Sequence, residues 1–204
     1  MVLLYILSQE VIPIKKSRKL SKLLKLHCAQ CGTCCSDPVI ELTDSDIKRL
    51  VKHTGFPTDR LIRLYAKSDF TVVNDTEDWI NLSYGKRQLG LRKKMDGSCL
   101  FLSDDKKCSA YEARPMACRV FPIDVYLDED SKATDFELSD VIRDKFIKCK
   151  QYYGKPNSFS TFRLKADQSG KETASFCRKI KQWNRKAEHG GKDDFLKFLG
   201  FKTN

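Results

Sequence analysis

Seven of the nine cysteines of this chain lie between residues 28 and 118, and this clustering constrains the fold more than any other feature. Four of them fall in the segment HCAQCGTCCSDP: Cys28, Cys31, Cys34 and Cys35. The other three follow after a long gap: Cys99, Cys108 and Cys118. Thiolate sulfur is a soft ligand that selects zinc, copper(I) or iron–sulfur clusters. A fold that uses both groups for one metal must bring distant parts of the chain together.

Metal binding competes with two other uses of cysteine, a disulfide and a catalytic nucleophile. The basic residues near the N-terminus follow the short apolar run at 2–7, whereas a signal peptide has them before it, and the run cannot span a bilayer. We therefore expect a cytoplasmic protein without a transmembrane span, in which thiols stay reduced. A nucleophilic cysteine usually needs a histidine base. The three histidines read more simply as structural or surface residues: His27, His53 and His189.

The spacing within the first group excludes a simple ferredoxin. Its first three cysteines match the start of a ferredoxin run, but the next ferredoxin cysteine would stand at Pro38. Cys35 comes too early, so a site with four sulfurs needs a ligand from the distant group. Because Cys34 and Cys35 are adjacent, their side chains tend to diverge. One of them is then free for a second site or packs as a buried thiol.

Three motifs, CAQCGTCC, CLFL and CSAYEARPMACRVFP, together resemble the YkgJ-type cysteine-cluster family, described as zinc- or iron-chelating domains. The resemblance covers residues 28–122 and distantly extends to the flagellin lysine N-methylase, an enzyme associated with an iron–sulfur cluster. It implies metal ligation by seven residues: Cys28, Cys31, Cys34, Cys35, Cys99, Cys108 and Cys118. Cys149 and Cys177 lie outside it and are expected to be core thiols, with an eighth ligand as the alternative.

Two arginines of the third motif, Arg114 and Arg119, are expected to support the site without binding metal. Their positive charge would offset clustered thiolates, and their N–H groups would donate to sulfur. The alternatives are an ordinary ion pair between Arg114 and Glu112, or an arginine that anchors an acidic substrate. Three neighbouring residues are expected to seal the site from water: Phe101, Phe121 and Pro122.

The remaining sequence predicts a helix-rich, irregular α+β domain with a small antiparallel sheet, stapled by a cysteine-ligated metal site. We divide the chain into three parts: a basic N-terminal segment (1–27), a cysteine-cluster core (28–122) and a mostly helical extension (123–204). Helices are predicted from Thr43 to Gly55, over 57–68, over 138–153 and over 171–188, with a short one at 193–201. Short strands are predicted between 70 and 102, and a loop at 128–137.

Three functional hypotheses follow. The first is a cytosolic metal-binding protein with an iron–sulfur cluster, most simply [4Fe–4S], or zinc or iron ions, supporting redox or macromolecule-modification chemistry. Seven clustered cysteines exceed the four that one structural zinc needs, which favours a cluster or two sites. The second is a zinc-stabilised module that binds nucleic acid or another acidic macromolecule through basic segments 15–25 and 178–192, given the net charge of +11. The third is a protein lysine N-methylase; only this last hypothesis requires an enzyme.

Overall fold

A computed structural model describes residues 25–28, 31–36, 39–70, 79–139, 151–153 and 158–203 of the chain. The helices in these ranges are α1 (Asp44–Thr54), α2 (Thr58–Leu61), α3 (Met116–Val120), α4 (Phe159–Asn184) and α5 (Lys192–Phe198). The strands are β1 (Leu26–Cys28), β2 (Ile62–Tyr65), β3 (Ile80–Leu82), β4 (Gly85–Leu91), β5 (Ile123–Leu127), β6 (Ala133–Leu138) and β7 (Gln151–Tyr153). The α+β class predicted from the sequence is confirmed.

The strands form three small antiparallel sheets. β2, β4 and β3 make a three-stranded sheet in that order, with Ile62 opposite Leu91 and Ile80 opposite Arg87. β5 pairs with β6 as a hairpin, and β1 pairs with β7 near the other end of the chain. The predicted strand at 98–102 is wrong as an extended element, because this segment makes only isolated bridges. Residues 71–78, also predicted to contain a strand, lie outside the described residues.

Helix α1 forms where its capping residues predict it. The Thr43 hydroxyl accepts a hydrogen bond from the Asp46 N–H at 3.1 Å, and the Asp46 carboxylate accepts one from the Thr43 N–H at 3.0 Å. These bonds satisfy two donors that a helix start otherwise leaves free. Gly55 ends the helix in the left-handed conformation (φ 69°), and Ile47 and Leu50 pack into the main core.

The single helix predicted over 57–68 is wrong. α2 ends at Leu61, and the chain continues directly into strand β2. Ile62 and Tyr65 are buried on that strand, and the Tyr65 ring packs over Gly90 of β4, where a Cβ would lie 2.9 Å from it. Because Gly90 has no side chain, the Tyr65 ring can lie directly against β4. This packing favours a strand at 62–65 over the helix that the local sequence predicts.

Two predictions in the following part of the chain are also wrong. The acidic stretch 128–137, predicted as a loop, turns at Asp128–Lys132 and then forms most of β6, where Ala133 and Phe136 are buried. The many acidic residues of this stretch make the alternation of buried and exposed positions, which is typical of a strand, difficult to recognise in the sequence. The predicted helix over 138–153 begins and ends in strands, β6 and β7, while residues 140–150 lie outside the described ranges.

The helix predicted over 171–188 is confirmed in its central part but begins earlier, at Phe159, and ends at Asn184. Its buried side chains Phe176, Ile180 and Trp183 join the main core, and the Trp183 indole N–H donates to the Asn81 carbonyl at 2.6 Å. The short C-terminal helix is confirmed as α5. Across the ranges that the structure describes, no helix combines the length and apolar character that crossing a membrane requires.

Replacing Gly170 by alanine is expected to destabilise the protein by about 1–3 kcal/mol, because α4 passes very close to the β5–β6 hairpin there. A Cβ at this position would lie 2.7 Å from Leu127 Cδ2 and 2.8 Å from the backbone oxygen of Ser131. Chemical denaturation measures the change, with Ser175→Ala on the same helix as the control. A stabilisation, as alanine gives in an uncrowded helix, would contradict the close packing.

Candidate metal centre

The first cysteine group surrounds a tight turn. Cys34 and Cys35 lie in a 3₁₀ turn, Thr33–Cys35, that follows Gly32 in the left-handed conformation (φ 72°). A Cβ on Gly32 would lie 3.2 Å from both Leu102 Cδ1 and Lys106 Cβ, so this turn packs directly against the loop that joins Cys99 to Cys108. Glycine therefore allows both the turn and the close approach of the two cysteine groups.

Backbone hydrogen bonds connect the two groups. The Cys99 N–H donates to the Cys35 carbonyl at 2.6 Å, and the Phe101 N–H lies 3.5 Å from the Cys99 sulfur. Isolated β-bridges then pair Lys93 with Cys99 and Leu102 with Cys108. The irregular chain between 93 and 108 thus forms a compact platform on which both cysteines are held.

Helix α3 brings Cys118 to this platform, and a buried carboxylate anchors the helix. Asp46 Oδ1 accepts a hydrogen bond from the Met116 N–H at 2.9 Å and another from Arg49 Nη2 at 2.5 Å. Arg49 in turn makes a two-pronged ion pair with Glu172 of α4, at 3.0 and 2.9 Å. The first turn of α3 is therefore tied to both α1 and α4. Nothing in the sequence signals this role of Asp46.

The thiols of four cysteines are close enough to alter one another's ionisation. Burial, assisted by the charges of Cys35 and Cys108, raises the pKa of Cys99 to about 11, although a hydrogen bond from the Phe101 N–H opposes the shift. Burial also raises the pKa of Cys118 well above its ordinary value, and Cys99, Cys35 and Cys108 all add to that shift. The fold therefore groups one cysteine of the first cluster with all three of the second.

Cys35 differs from the others because its thiolate is stabilised. A hydrogen bond from Cys34 lowers the pKa of Cys35 to about 7; burial opposes this shift, and the positive charge of Arg114 assists it. Stabilisation by a hydrogen bond and a nearby cation is the usual origin of a reactive thiolate. In the metal-free protein, Cys35 is thus about half ionised at neutral pH, whereas Cys99 and Cys118 are protonated.

The structure describes the surroundings of the other predicted ligands less completely. Cys31 Sγ lies 3.3 Å from the Thr33 hydroxyl, and Cys28 ends strand β1, with its side chain outside the described part of the structure. Cys177 lies on α4 beside a cavity of about 60 Å³ that Asp46 and Met116 also line. Cys149 is not among the described residues, and within those residues no three histidine, cysteine or carboxylate side chains form a ready-made metal site.

The two predicted supporting arginines play different parts. The Arg114 guanidinium stacks 3.7 Å above the Tyr111 ring, and its charge lowers the pKa of both Cys35 and Cys118. Arg119 donates to the carbonyl of Arg114 at 2.9 Å and also to that of Glu112. Arg114 thus provides the positive charge beside the thiols, whereas Arg119 braces the loop that carries it. Phe101, a predicted sealing residue, is buried and stacks with Phe56.

Alkylation of the metal-free protein is expected to modify Cys35 well before Cys99. Because its folded pKa is depressed to about 7, its thiolate fraction and reactivity should rise through neutral pH, while Cys99 should stay protonated until about pH 11. Iodoacetamide labelling across a pH series, read by peptide mass spectrometry, measures this order. Arg114→Gln should move the midpoint for Cys35 upward; equal labelling of Cys35 and Cys99 at pH 7 would contradict it.

Comparison with known proteins adds an independent line of support. A family model described as "CxxCxxCC: Putative zinc- or iron-chelating domain" matches residues 27–141, more than half of the chain. An uncharacterized protein of Methanocaldococcus jannaschii is 28% identical over 113 residues, which cover 55% of this chain and 52% of that protein. The chain thus spans about half the length of this relative. No solved structure matches the chain.

Proposed function

This chain belongs to the CxxCxxCC family of zinc- or iron-chelating domains, and from that premise we propose that four cysteines hold its metal centre. The ligands in this proposal are Cys35, Cys99, Cys108 and Cys118. The observation that carries it is the 2.6 Å hydrogen bond from the Cys99 N–H to the Cys35 carbonyl, which joins the two cysteine groups although they are far apart in the sequence. The charges of Cys35 and Cys108 also raise the pKa of both Cys99 and Cys118. Four thiolates are a complete ligand set for one zinc ion or one iron–sulfur cluster.

Three further cysteines favour a second metal site beside this centre. Cys28, Cys31 and Cys34 lie on or next to the same turn as Cys35, and one zinc ion or one cluster takes only four ligands, which leaves these three for another site. We favour a [4Fe–4S] cluster, which when bound would supply one-electron redox chemistry. A redox or macromolecule-modifying role in the cytoplasm, where thiols remain reduced, is part of the same proposal.

The residues around the thiols fit a metal-bound form. Metal ligation requires thiolates, and bringing four of them together accumulates negative charge that buried thiols resist. Arg114 lies where its charge offsets this accumulation, and Arg119 and Tyr111 hold it there. The raised pKa of Cys99 and Cys118 means that metal binding must release protons, so metal affinity should increase with pH.

Anaerobic purification followed by elemental analysis and a visible spectrum tests the proposal. Iron with acid-labile sulfide and absorbance near ~400 nm would support the cluster. A colourless protein with stoichiometric zinc would overturn the cluster and retain the cysteine centre as a structural site. Protein that folds fully and binds neither metal, even after anaerobic reconstitution, would overturn both. Binding of S-adenosylmethionine to the loaded protein would separately favour the lysine N-methylase hypothesis.

A further inference from the structure

Beyond metal binding, we propose that one exposed face of helix α4 binds the phosphate backbone of a nucleic-acid duplex. We call this surface the basic face. It consists of six polar residues: Lys171, Ser175, Arg178, Lys181, Gln182 and Arg185. The proposal does not depend on which metal the protein holds, because none of the four proposed metal ligands lies on α4.

Three cations of the basic face repeat at regular intervals. Lys171, Arg178 and Arg185 are exposed and follow one another every seven residues, which places them on the same side of the helix after every second turn. At a rise of 1.5 Å per residue they are about 10.5 Å apart and extend over about 21 Å. None of the three forms an ion pair with another described residue.

Two neighbouring cations, Lys179 on α4 and Lys186 just after its end, are already used within the fold. Lys179 forms an ion pair with the buried Asp44 at 2.6 Å, and Lys186 lies 4.1 Å from the centre of the Trp183 ring. The one acidic residue between 171 and 185, Glu172, points to Arg49 and pairs with it. The helix therefore separates internally neutralised charges from a row of cations that faces solvent.

The chemistry of the basic face favours a polyanion over a membrane or a protein partner. Between 171 and 185 the large apolar residues of α4, Phe176, Ile180 and Trp183, are all buried. Membrane-binding helices and protein interfaces need several exposed apolar or aromatic anchors, and between 171 and 185 this face has none. The nearest exposed apolar side chain on the helix, Leu164, lies seven residues before Lys171 and stands alone. Lysine, arginine, serine and glutamine are the side chains that contact phosphates, and without aromatic residues the face offers nothing for stacking single-stranded bases.

The geometry sets the size of the expected effect. Each strand of a duplex carries one phosphate per about 3.4 Å, so about 21 Å of helix lies alongside roughly six phosphates. Each neutralised phosphate contributes about −0.9 to the slope of log affinity against log salt. Three contacts therefore account for a slope of about −2.7, or about a 40-fold loss of affinity between 50 and 200 mM salt.

Fluorescence anisotropy with a labelled DNA duplex of mixed sequence tests the proposal on the full chain. The test variant carries Lys171→Gln, Arg178→Gln and Arg185→Gln, and the control removes three exposed lysines outside α4, at Lys52, Lys86 and Lys202. Both lose the same charge. We expect the test variant to lower the salt slope by about 2.7 and the control to change it little. Metal content is measured on the same samples, so that loss of the metal centre is recognised separately.

Three outcomes would overturn the proposal. The first is equal binding by the test and control variants, which would assign the effect to net charge alone. The second is tighter binding to single-stranded RNA of the same length than to the duplex. The third is the absence of duplex binding at low salt together with binding to vesicles of anionic lipid, which would make the face a membrane contact.

Discussion

Replacing Cys99 by serine is expected to abolish metal binding and to destabilise the protein by several kcal/mol. Serine keeps the size of the side chain but lacks the soft sulfur that holds zinc or iron. Cys99 is nearly buried, and its thiol interacts electrostatically with three other thiols. Its backbone N–H donates a hydrogen bond to the Cys35 carbonyl. Metal binding in small thiolate domains contributes about 10–16 kcal/mol, and here the apolar core to which Cys99 itself belongs carries part of the stability.

The matched control is Cys177→Ser. It makes the same chemical change at a partly buried cysteine on α4, beside a cavity and outside the group of interacting thiols. Elemental analysis should find full metal content in this variant and about a tenth or less in Cys99→Ser. Chemical denaturation with and without a chelator separates lost metal from lost packing. Full metal content in Cys99→Ser would remove Cys99 from the ligand set.

Replacing Asp46 by alanine is expected to cost about 3–5 kcal/mol, the usual effect of breaking a buried charge pair on one side. The Asp46 carboxylate is 2% exposed and accepts four hydrogen bonds, from the Thr43 N–H and hydroxyl, from Arg49 and from the Met116 N–H. Without it, Arg49 loses one of its two partners and the buried Met116 N–H has none. Differential scanning calorimetry or urea denaturation measures the loss.

The same variant should also release metal faster, because Asp46 positions the first turn of α3 and thereby Cys118. Asp69→Ala is the matched control: Asp69 also caps a helical turn and pairs with an arginine, but it is exposed, so little stability should be lost. Gly170→Ala controls for destabilisation itself, at a distant contact. Equal chelator-driven release from Asp46→Ala and Gly170→Ala would show that Asp46 acts only through global stability.

The sequence predicts those elements whose determinants are local. Thr43 and Asp46 fall at capping-box spacing, and helix α1 begins there. The apolar spacing of Phe176, Ile180 and Trp183 likewise predicts the buried side of α4. The strand after α2 could not be predicted in this way, because its position depends on the missing side chain of Gly90 on another strand. Strand β6 is not predicted because the stretch 128–137 contains five acidic residues and only two buried ones, Ala133 and Phe136.

For the candidate site, motif spacing identifies the cysteines but not how they are grouped. Cys34 and Cys35 are equivalent in the sequence, and the turn after Gly32 determines that Cys35 faces the second group. The hydrogen bond between Asp46 and Met116 joins residues far apart in the chain, and no local pattern encodes such a contact. The sequence predicts the same supporting role for Arg114 and Arg119. Their roles differ because of the residues that each one contacts in the folded protein.

The pairing of β1 with β7 has a consequence for how the protein is made. Strand β1 ends at Cys28, and its partner Gln151–Tyr153 lies far along the chain. The ribosome delivers the N-terminal residues first, and contacts across long sequence separations close slowly. Cys28 therefore leaves the ribosome well before its partner strand, and β1 can pair with β7 only after residues 151–153 have been synthesised. During that interval its thiol is open to cellular metals and oxidants.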